Sequence, residues 1–316
     1  MKPLYRYVVY GLVVASEQPF GSLEPADDAA EPSITIRFVA PEVLGATVPP
    51  GALKTEPGDF VSHLMLADGA VYLKAEDIFE VTVSPDGSTV ACSASEAIDR
   101  RTFEANLMNF VVGTSLTLRG EEPLHSTVID LGGRAIGLLG ESGAGKSTLA
   151  AMLISRGADL VTDDMLRVEF VGDRLLAHRG PYRLKLLVES GRRFLPDALA
   201  DGHFNSLSGK LMIRPREAVP SRAGPVPLAG LYYIGELPGR EPPTSVSSTR
   251  LSGIDLVRVI LSSAMDDRYT APHRLARQMA FAARLSNVLP VYALRYPRSF
   301  DVMDEVAAEI RRTIGA

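Results

Sequence analysis

A glycine loop between a short apolar strand and an apolar-faced helix constrains this chain more than any other feature. Residues 140–148 read Gly140-Glu141-Ser142-Gly143-Ala144-Gly145-Lys146-Ser147-Thr148, and the first eight satisfy every fixed position of G-x-x-x-x-G-K-[ST]. Each position has a chemical reason. The glycines let backbone N–H groups turn inward around phosphate oxygens, Lys146 reaches the β and γ oxygens, and the Ser147 hydroxyl is placed to ligate Mg²⁺. Ala135-Ile136-Gly137-Leu138-Leu139 precedes the loop as a buried-strand run, and Leu149, Met152 and Leu153 give the following segment a helical apolar face. Arg156-Gly157 closes that helix with a cation and a C-terminal glycine. Strand, glycine loop and helix N-terminus in this order make a phosphate site, so residues 140–148 are expected to bind a nucleoside triphosphate.

The rest of the chain suits one large or two modest domains of an ordinary globular protein, with 316 residues, 46% hydrophobic and 22% charged. A formal net charge of −5 argues against a general nucleic-acid binder. Cys92 is the only cysteine, so no intramolecular disulfide forms, and its surroundings Val90-Ala91-Cys92-Ser93 read as a small buried residue. No apolar run reaches the roughly 20 residues that span a bilayer. Lys2 and Arg6 before residues 8–15 imitate a signal peptide, but the aromatic and β-branched residues there read as a strand. The expected location is the cytoplasm.

Residues 1–98 read as a β-rich domain, with strands expected at 5–14, 34–39, 60–66, 70–74, 79–83 and 89–91, and a loop over 21–32. An apolar stripe of Phe103, Leu107, Phe110, Val111 and Leu116 predicts a helix over 99–116. A hairpin of 126–131 and 134–139, turned by Gly132-Gly133, then delivers the second strand into the glycine loop. Further strands are expected at 158–162, 167–171, 174–178, 226–234 and 291–295, and helices at 255–263, 274–286 and 302–314. Residues 235–250 read as a surface loop. The domains are therefore 1–98 and a catalytic 99–316.

Asp163-Asp164 ends the strand that follows the loop's helix, and this strand is expected to lie beside the loop's own strand. Phosphoryl transfer needs one acidic group to hold Mg²⁺ and one to take the acceptor's proton. Alone, such a pair reads as a turn or helix cap; next to a phosphate loop it reads as chemistry. His125 opens the hairpin, where a lone histidine is by itself a surface or core residue.

These residues carry a resemblance. Leu124-His125, the turn at Gly132-Gly133, the loop 140–147 and Gly157-Ala158-Asp159-Leu160-Val161-Thr162-Asp163-Asp164 resemble the catalytic domain of HPr kinase/phosphorylase. The resemblance implies an α/β P-loop kinase domain of the HPr kinase and phosphoenolpyruvate carboxykinase type behind the β-rich N-terminal domain. It implies ATP and Mg²⁺ as cofactors and direct transfer to a serine hydroxyl. By position, Asp163 is taken as the base, Asp164 and Ser147 as metal ligands, and His125 as lining the acceptor site. It also implies a homo-oligomer.

The departures matter. The glycine-rich signature tied to phosphorylase activity has no counterpart after the aspartate pair, and Arg179-Gly180-Pro181-Tyr182-Arg183-Leu184-Lys185-Leu186 stands there instead. Tyr10-Gly11-Leu12 and Pro181-Tyr182-Arg183-Leu184-Lys185 make the chain similar to the shorter HPr-kinase-like proteins, including kinases of lasso-peptide precursors. Arg183 and Lys185 alternate on one strand face, toward phosphate or an acidic peptide end, or else as solvated edge charges. Lys210, Arg214 and Arg216 read as solvated, and Asp266-Asp267 as a turn or helix end.

An ABC-type ATPase shares the loop, but Leu207-Ser208-Gly209-Lys210 breaks its signature at the fourth position and no acidic strand end follows. The expected activity is ATP- and Mg²⁺-dependent transfer of the γ-phosphoryl group to a serine or similar hydroxyl of a peptide. A small-molecule kinase and a nucleotide-binding adaptor are the alternatives.

Overall fold

A computed structural model describes residues 4–53, 61–205, 208–216, 224–237, 241–266, 269 and 271–315. Contacts divide the chain into two units, Met1–Glu122 with Met265–Thr270, and Pro123–Ala264 with Ala271–Ala316. Phe60, Leu207, Asp267 and Arg268 lie outside the described residues.

The first unit is built on an eight-stranded sheet in the order Glu24–Pro25, Tyr5–Val9, Leu12–Ser16, Ile34–Phe38, Thr89–Ala94, Phe79–Val83, Val71–Ala75 and Ser62–Met65. The single strand expected over 5–14 is a hairpin. Tyr10 and Gly11 both take positive φ, 52° and 70°, the backbone of a two-residue turn matched to strand twist. The helix after Asp99 runs through Arg100–Asn106, a π-helical turn at Leu107–Val111 and Val112–Leu118. The Asp99 side chain caps it by accepting from the Thr102 amide at 2.9 Å. Cys92 is fully buried, and burial pushes its thiol up to about 12.

Gly87 has φ 67°, and a Cβ there would lie 2.3 Å from the Ser115 carbonyl oxygen and 2.9 Å from Arg119 Cγ. The Asp86-Gly87 turn therefore lies directly on the helix end. Gly87→Ala combines a left-handed backbone with overpacking and is expected to cost about 2–4 kcal/mol. Thermal unfolding checks this: a lower midpoint is expected, and an unchanged one contradicts the close approach.

The second unit carries a mixed sheet in the order Asp159–Thr162, Ser126–Asp130, Ala135–Leu139, Val226–Tyr233, Arg174–Ala177 and Val168–Val171, and Val291–Arg295 also pairs with Val226–Tyr233. All five residues of Ala135–Leu139 are buried because both sheet faces are covered. Ile136 and Leu138 point to one face, with Leu149, Met152 and Leu153 of the loop's helix and Val306 and Ile310 of the helix Met303–Ile314. Ala135 and Leu139 point to the other, with Leu256, Val259 and Ile260 of the helix Gly253–Ser262 and Ala282 and Leu285 of Pro272–Val288. The period-2 alternation of one strand thus divides the apolar interior into two clusters. The unit is α/β.

The aspartate strand Asp159–Thr162 does not lie beside the loop strand Ala135–Leu139, as its short connection suggested. The edges of the loop strand are filled by Ser126–Asp130 and Val226–Tyr233, so the aspartate strand pairs with Ser126–Asp130. Both pairings of Ser126–Asp130 are antiparallel, and two reversals restore direction. The aspartate strand therefore runs parallel to the loop strand. Val226–Tyr233 and Val291–Arg295 run the same way. The glycine loop, Asp163-Asp164, the end of Val291–Arg295 and the start of Ser126–Asp130 consequently share one sheet edge.

Inside the expected loop 235–250, Ser247–Arg250 is a strand paired antiparallel with Val291–Arg295. It is polar and mostly exposed, so no apolar alternation marks it. A separate three-stranded antiparallel sheet in the order Leu184–Leu186, Lys210–Ile213 and His203–Asn205 completes the unit. Among the described residues, no helix is long and apolar enough to cross a membrane.

Candidate active site

The phosphate loop leaves the buried strand at Gly140, φ 143°, and enters the helix Lys146–Ser155 through Gly145, φ 105°. At Gly145 the positive φ turns the chain into the first helical turn, a conformation a side chain would strain. Glu141, Ser142 and Gly143 form an exposed rim, and the Lys146 side chain folds back beneath it. Lys146 Nζ donates to the Gly140 carbonyl oxygen at 2.6 Å and the Glu141 carbonyl oxygen at 3.0 Å. Burial lowers the Lys146 ammonium to about 8 against the pull of Asp163 and Asp164. Ser147 is partly exposed at the helix start, and Thr148 Oγ1 lies 2.9 Å from Ser190 Oγ of the helix Val188–Phe194. The helix ends against Arg216, whose Nη2 donates to the Ala158 carbonyl oxygen at 3.0 Å.

The aspartate strand ends in a turn pinned to the start of the hairpin. Asp164 takes φ 70°, a left-handed backbone that aspartate tolerates better than most residues. Its carbonyl oxygen thereby accepts from the Ser126 amide at 3.3 Å and lies 2.9 Å from His125 Nδ1. The amide and carbonyl of Leu124 pair with those of Leu166 at 3.0 and 2.8 Å. A carbonyl oxygen only accepts, so Nδ1 carries the His125 ring proton and Nε2 keeps a free lone pair. Burial, then the Lys146 charge, lowers His125 to about 4, leaving the ring neutral at neutral pH.

The two carboxylates have different surroundings. Asp163 is buried, with Oδ1 accepting from Thr127 Oγ1 at 2.7 Å and Oδ2 from the Lys185 amide at 2.8 Å. Asp164 is partly exposed, and its Oδ2 lies 2.7 Å from Lys185 Nζ. Burial alone would raise Asp164, but the Lys185 ammonium holds it well below the usual carboxylate range. Burial, then the Asp164 charge, pushes Asp163 up to about 6. The pair's proton therefore goes to Asp163, while Asp164 keeps its charge.

His125, named from the resemblance, Lys146, Asp163 and Asp164, and Lys185, named from strand alternation, thus meet at one sheet edge, and the Arg183 charge also acts on Asp164. Lys185 is not a solvated edge charge: its side chain is 9% exposed, its ammonium lies against Asp164 and its backbone amide donates to Asp163. Thr127 and Ser190 were not singled out. Thr127 lies two residues beyond His125, in the strand Ser126–Asp130 that His125 opens, a proximity visible in the sequence. Ser190 meets Thr148 only through tertiary packing.

Magnesium is usually held by one or two carboxylates together with phosphate oxygens and water. The hard oxygen donors Ser147 Oγ and Asp164 fit that requirement, with Asp164 charged and partly exposed at the loop's edge.

Residues 117–190 match the HPr Serine kinase C-terminal domain. The chain is HPr-kinase-like over this segment. The HPr-kinase-like segment contains His125, the loop, both aspartates and Lys185. The HPr kinase/phosphorylase of an Exiguobacterium species is 28% identical over 110 residues, 35% of this chain and 34% of the relative. That of Lachnoclostridium phytofermentans is 33% identical over 103 residues, 32% of this chain and 33% of the relative. The chain thus spans about a third of the length of these curated relatives. The Hpr(Ser) kinase/phosphatase structure from Coxiella burnetii aligns with 60% of this chain and 94% of its own at 14% identity, with a TM-score of 0.32.

Proposed function

We propose that this chain is an ATP- and Mg²⁺-dependent phosphotransferase that moves the γ-phosphoryl group to a serine or similar hydroxyl of a peptide or protein. The observation that carries the reading is Asp163, a buried carboxylate raised in pKa by burial and by Asp164, at the sheet edge where the phosphate loop opens. In this reading the loop amides and Lys146 hold the β and γ oxygens. Asp163 accepts the acceptor hydroxyl's proton, and His125 Nε2 orients that hydroxyl. Ser147 and Asp164 hold Mg²⁺, which neutralises phosphate charge when bound. Both domains, residues 1–98 and 99–316, are assigned to one cytoplasmic protein.

Acceptor-dependent ADP release tests this, with serine-bearing peptides set against hydroxyl metabolites. Release that requires a peptide supports the reading. Release with a metabolite alone moves the acceptor to small molecules, and nucleotide binding without turnover favours an adaptor.

The two titrating groups predict a bell-shaped profile of kcat/KM for Mg·ATP. Protonation removes the base, so activity falls about tenfold per unit below pH 6; above about pH 8 it falls as Lys146 loses its charge. Thr127→Val removes one of two hydrogen bonds that stabilise the Asp163 carboxylate, so the acid limb is expected to move to higher pH. A limb that stays put or moves down contradicts the assignment of that limb to Asp163.

A further inference from the structure

Lys146 and Lys185 have roles above, but a third lysine at the site has none. Lys210 opens the strand Lys210–Ile213, half-buried rather than solvated. Pairing registers fix where it points. Lys185 stands opposite Met212, and Lys210 is two residues before Met212 on the same strand. Opposite residues and residues two apart share a face, so Lys210 and Lys185 lie on one face of the small sheet. They are one diagonal step apart, roughly 7–8 Å. The Lys185 ammonium is itself 2.7 Å from Asp164 Oδ2, so Lys210 shares the sheet face of the lysine that meets the carboxylate pair.

Its charge also reaches the loop. The Lys210 and Lys146 ammonium groups are close enough to repel each other. Lys210 makes no ion pair among the described residues, whereas Lys185 has Asp164. An unpaired, half-buried ammonium near two others raises the energy of the empty site, and an anion placed among them relieves it. The anion that would occupy the gap between Lys146 and the aspartates is a phosphoryl group, whose charge in transfer is spread over three equatorial oxygens.

We propose that Lys210 is a second phosphoryl-binding cation, holding γ-phosphate oxygens of Mg·ATP on the aspartate side while Lys146 holds them from the loop. The proposal rests on the kinase reading. In the step it serves, the acceptor oxygen bonds to the γ phosphorus and the bond from that phosphorus to the β–γ bridging oxygen breaks. The acceptor's proton passes to Asp163, ADP leaves, and Lys210 stays protonated throughout.

The test is calorimetry on the full chain with Mg²⁺ and either ADP or the non-hydrolysable β,γ-imido analogue of ATP, alongside steady-state kinetics. Lys210→Met is expected to weaken the triphosphate about tenfold or more, leave ADP within about twofold, and lower kcat about 10²-fold. Lys210→Arg should recover most of both losses, and Lys210→Gln, read in the same way, replaces the methionine variant if that does not fold. Equal effects on both nucleotides, or on neither, overturn the proposal. A raised KM for the acceptor alone overturns it too, and makes Lys210 a reader of acidic groups on the acceptor. If the unaltered chain binds neither nucleotide, the kinase reading itself fails, a result distinct from any behaviour of Lys210.

Discussion

Lys146→Met is expected to lower kcat by about 10²- to 10³-fold, the cost of removing one preorganised donor from a developing negative charge. Methionine fills similar volume but leaves the Gly140 and Glu141 carbonyl oxygens without the Lys146 donor. The loop should keep its fold, because Gly140, Gly143 and Gly145 set its backbone through φ angles of 143°, 84° and 105°. Nucleotide affinity should therefore fall far less than turnover. The alkaline limb near pH 8 should also vanish, since it belongs to this ammonium. Steady-state kinetics with a parallel binding titration separate the two effects. Equal loss of binding and turnover would make Lys146 a uniform binder of phosphate.

Asp163→Asn is expected to cost more, about 10²- to 10⁴-fold in kcat, the range for a lost general base. Asparagine is nearly isosteric, and its carbonyl oxygen still accepts from Thr127 Oγ1. Asp164 and Lys185 keep their 2.7 Å contact, so Mg·ATP should bind within a few-fold of the unaltered chain. The acid limb near pH 6 should disappear with the carboxylate that titrates there. Asp164→Asn should behave differently, raising the Mg²⁺ requirement before lowering the limiting rate. If the two variants exchange these behaviours, the base and the metal ligand are assigned the wrong way round.

Local signals made much of the site legible. Ala135–Leu139 is an unbroken apolar run between turn glycines, and the strand it announces is buried on both faces. Fixed spacing carried Lys146, Ser147 and the aspartate pair to one sheet edge. What stayed hidden depends on partners distant in sequence. No local pattern says that Ser126–Asp130 fills the place beside the loop strand, which displaces the aspartate strand by one position. The Tyr10-Gly11 turn was missed because tyrosine rarely takes positive φ, so the apolar run 5–14 read through it. Ser247–Arg250 has no apolar alternation, because one edge alone is paired and its side chains are polar and mostly exposed. The burial of Lys185 follows from two carboxylates 21 and 22 residues earlier in the chain, which no charge count reveals. That contact also separates the aspartates, since the ammonium keeps Asp164 charged and sends the proton to Asp163.

The central claim is that one edge brings a triphosphate and a serine hydroxyl together with Asp163 between them. The most direct test is to incubate the chain with γ-labelled ATP, Mg²⁺ and serine-containing peptides, and to locate the transferred phosphate by mass spectrometry. The account predicts phosphoserine with the unaltered chain and none above background with Asp163→Asn, although both bind nucleotide. Phosphoserine formed equally well by Asp163→Asn, or bound ATP with no phosphate on any hydroxyl, would contradict it.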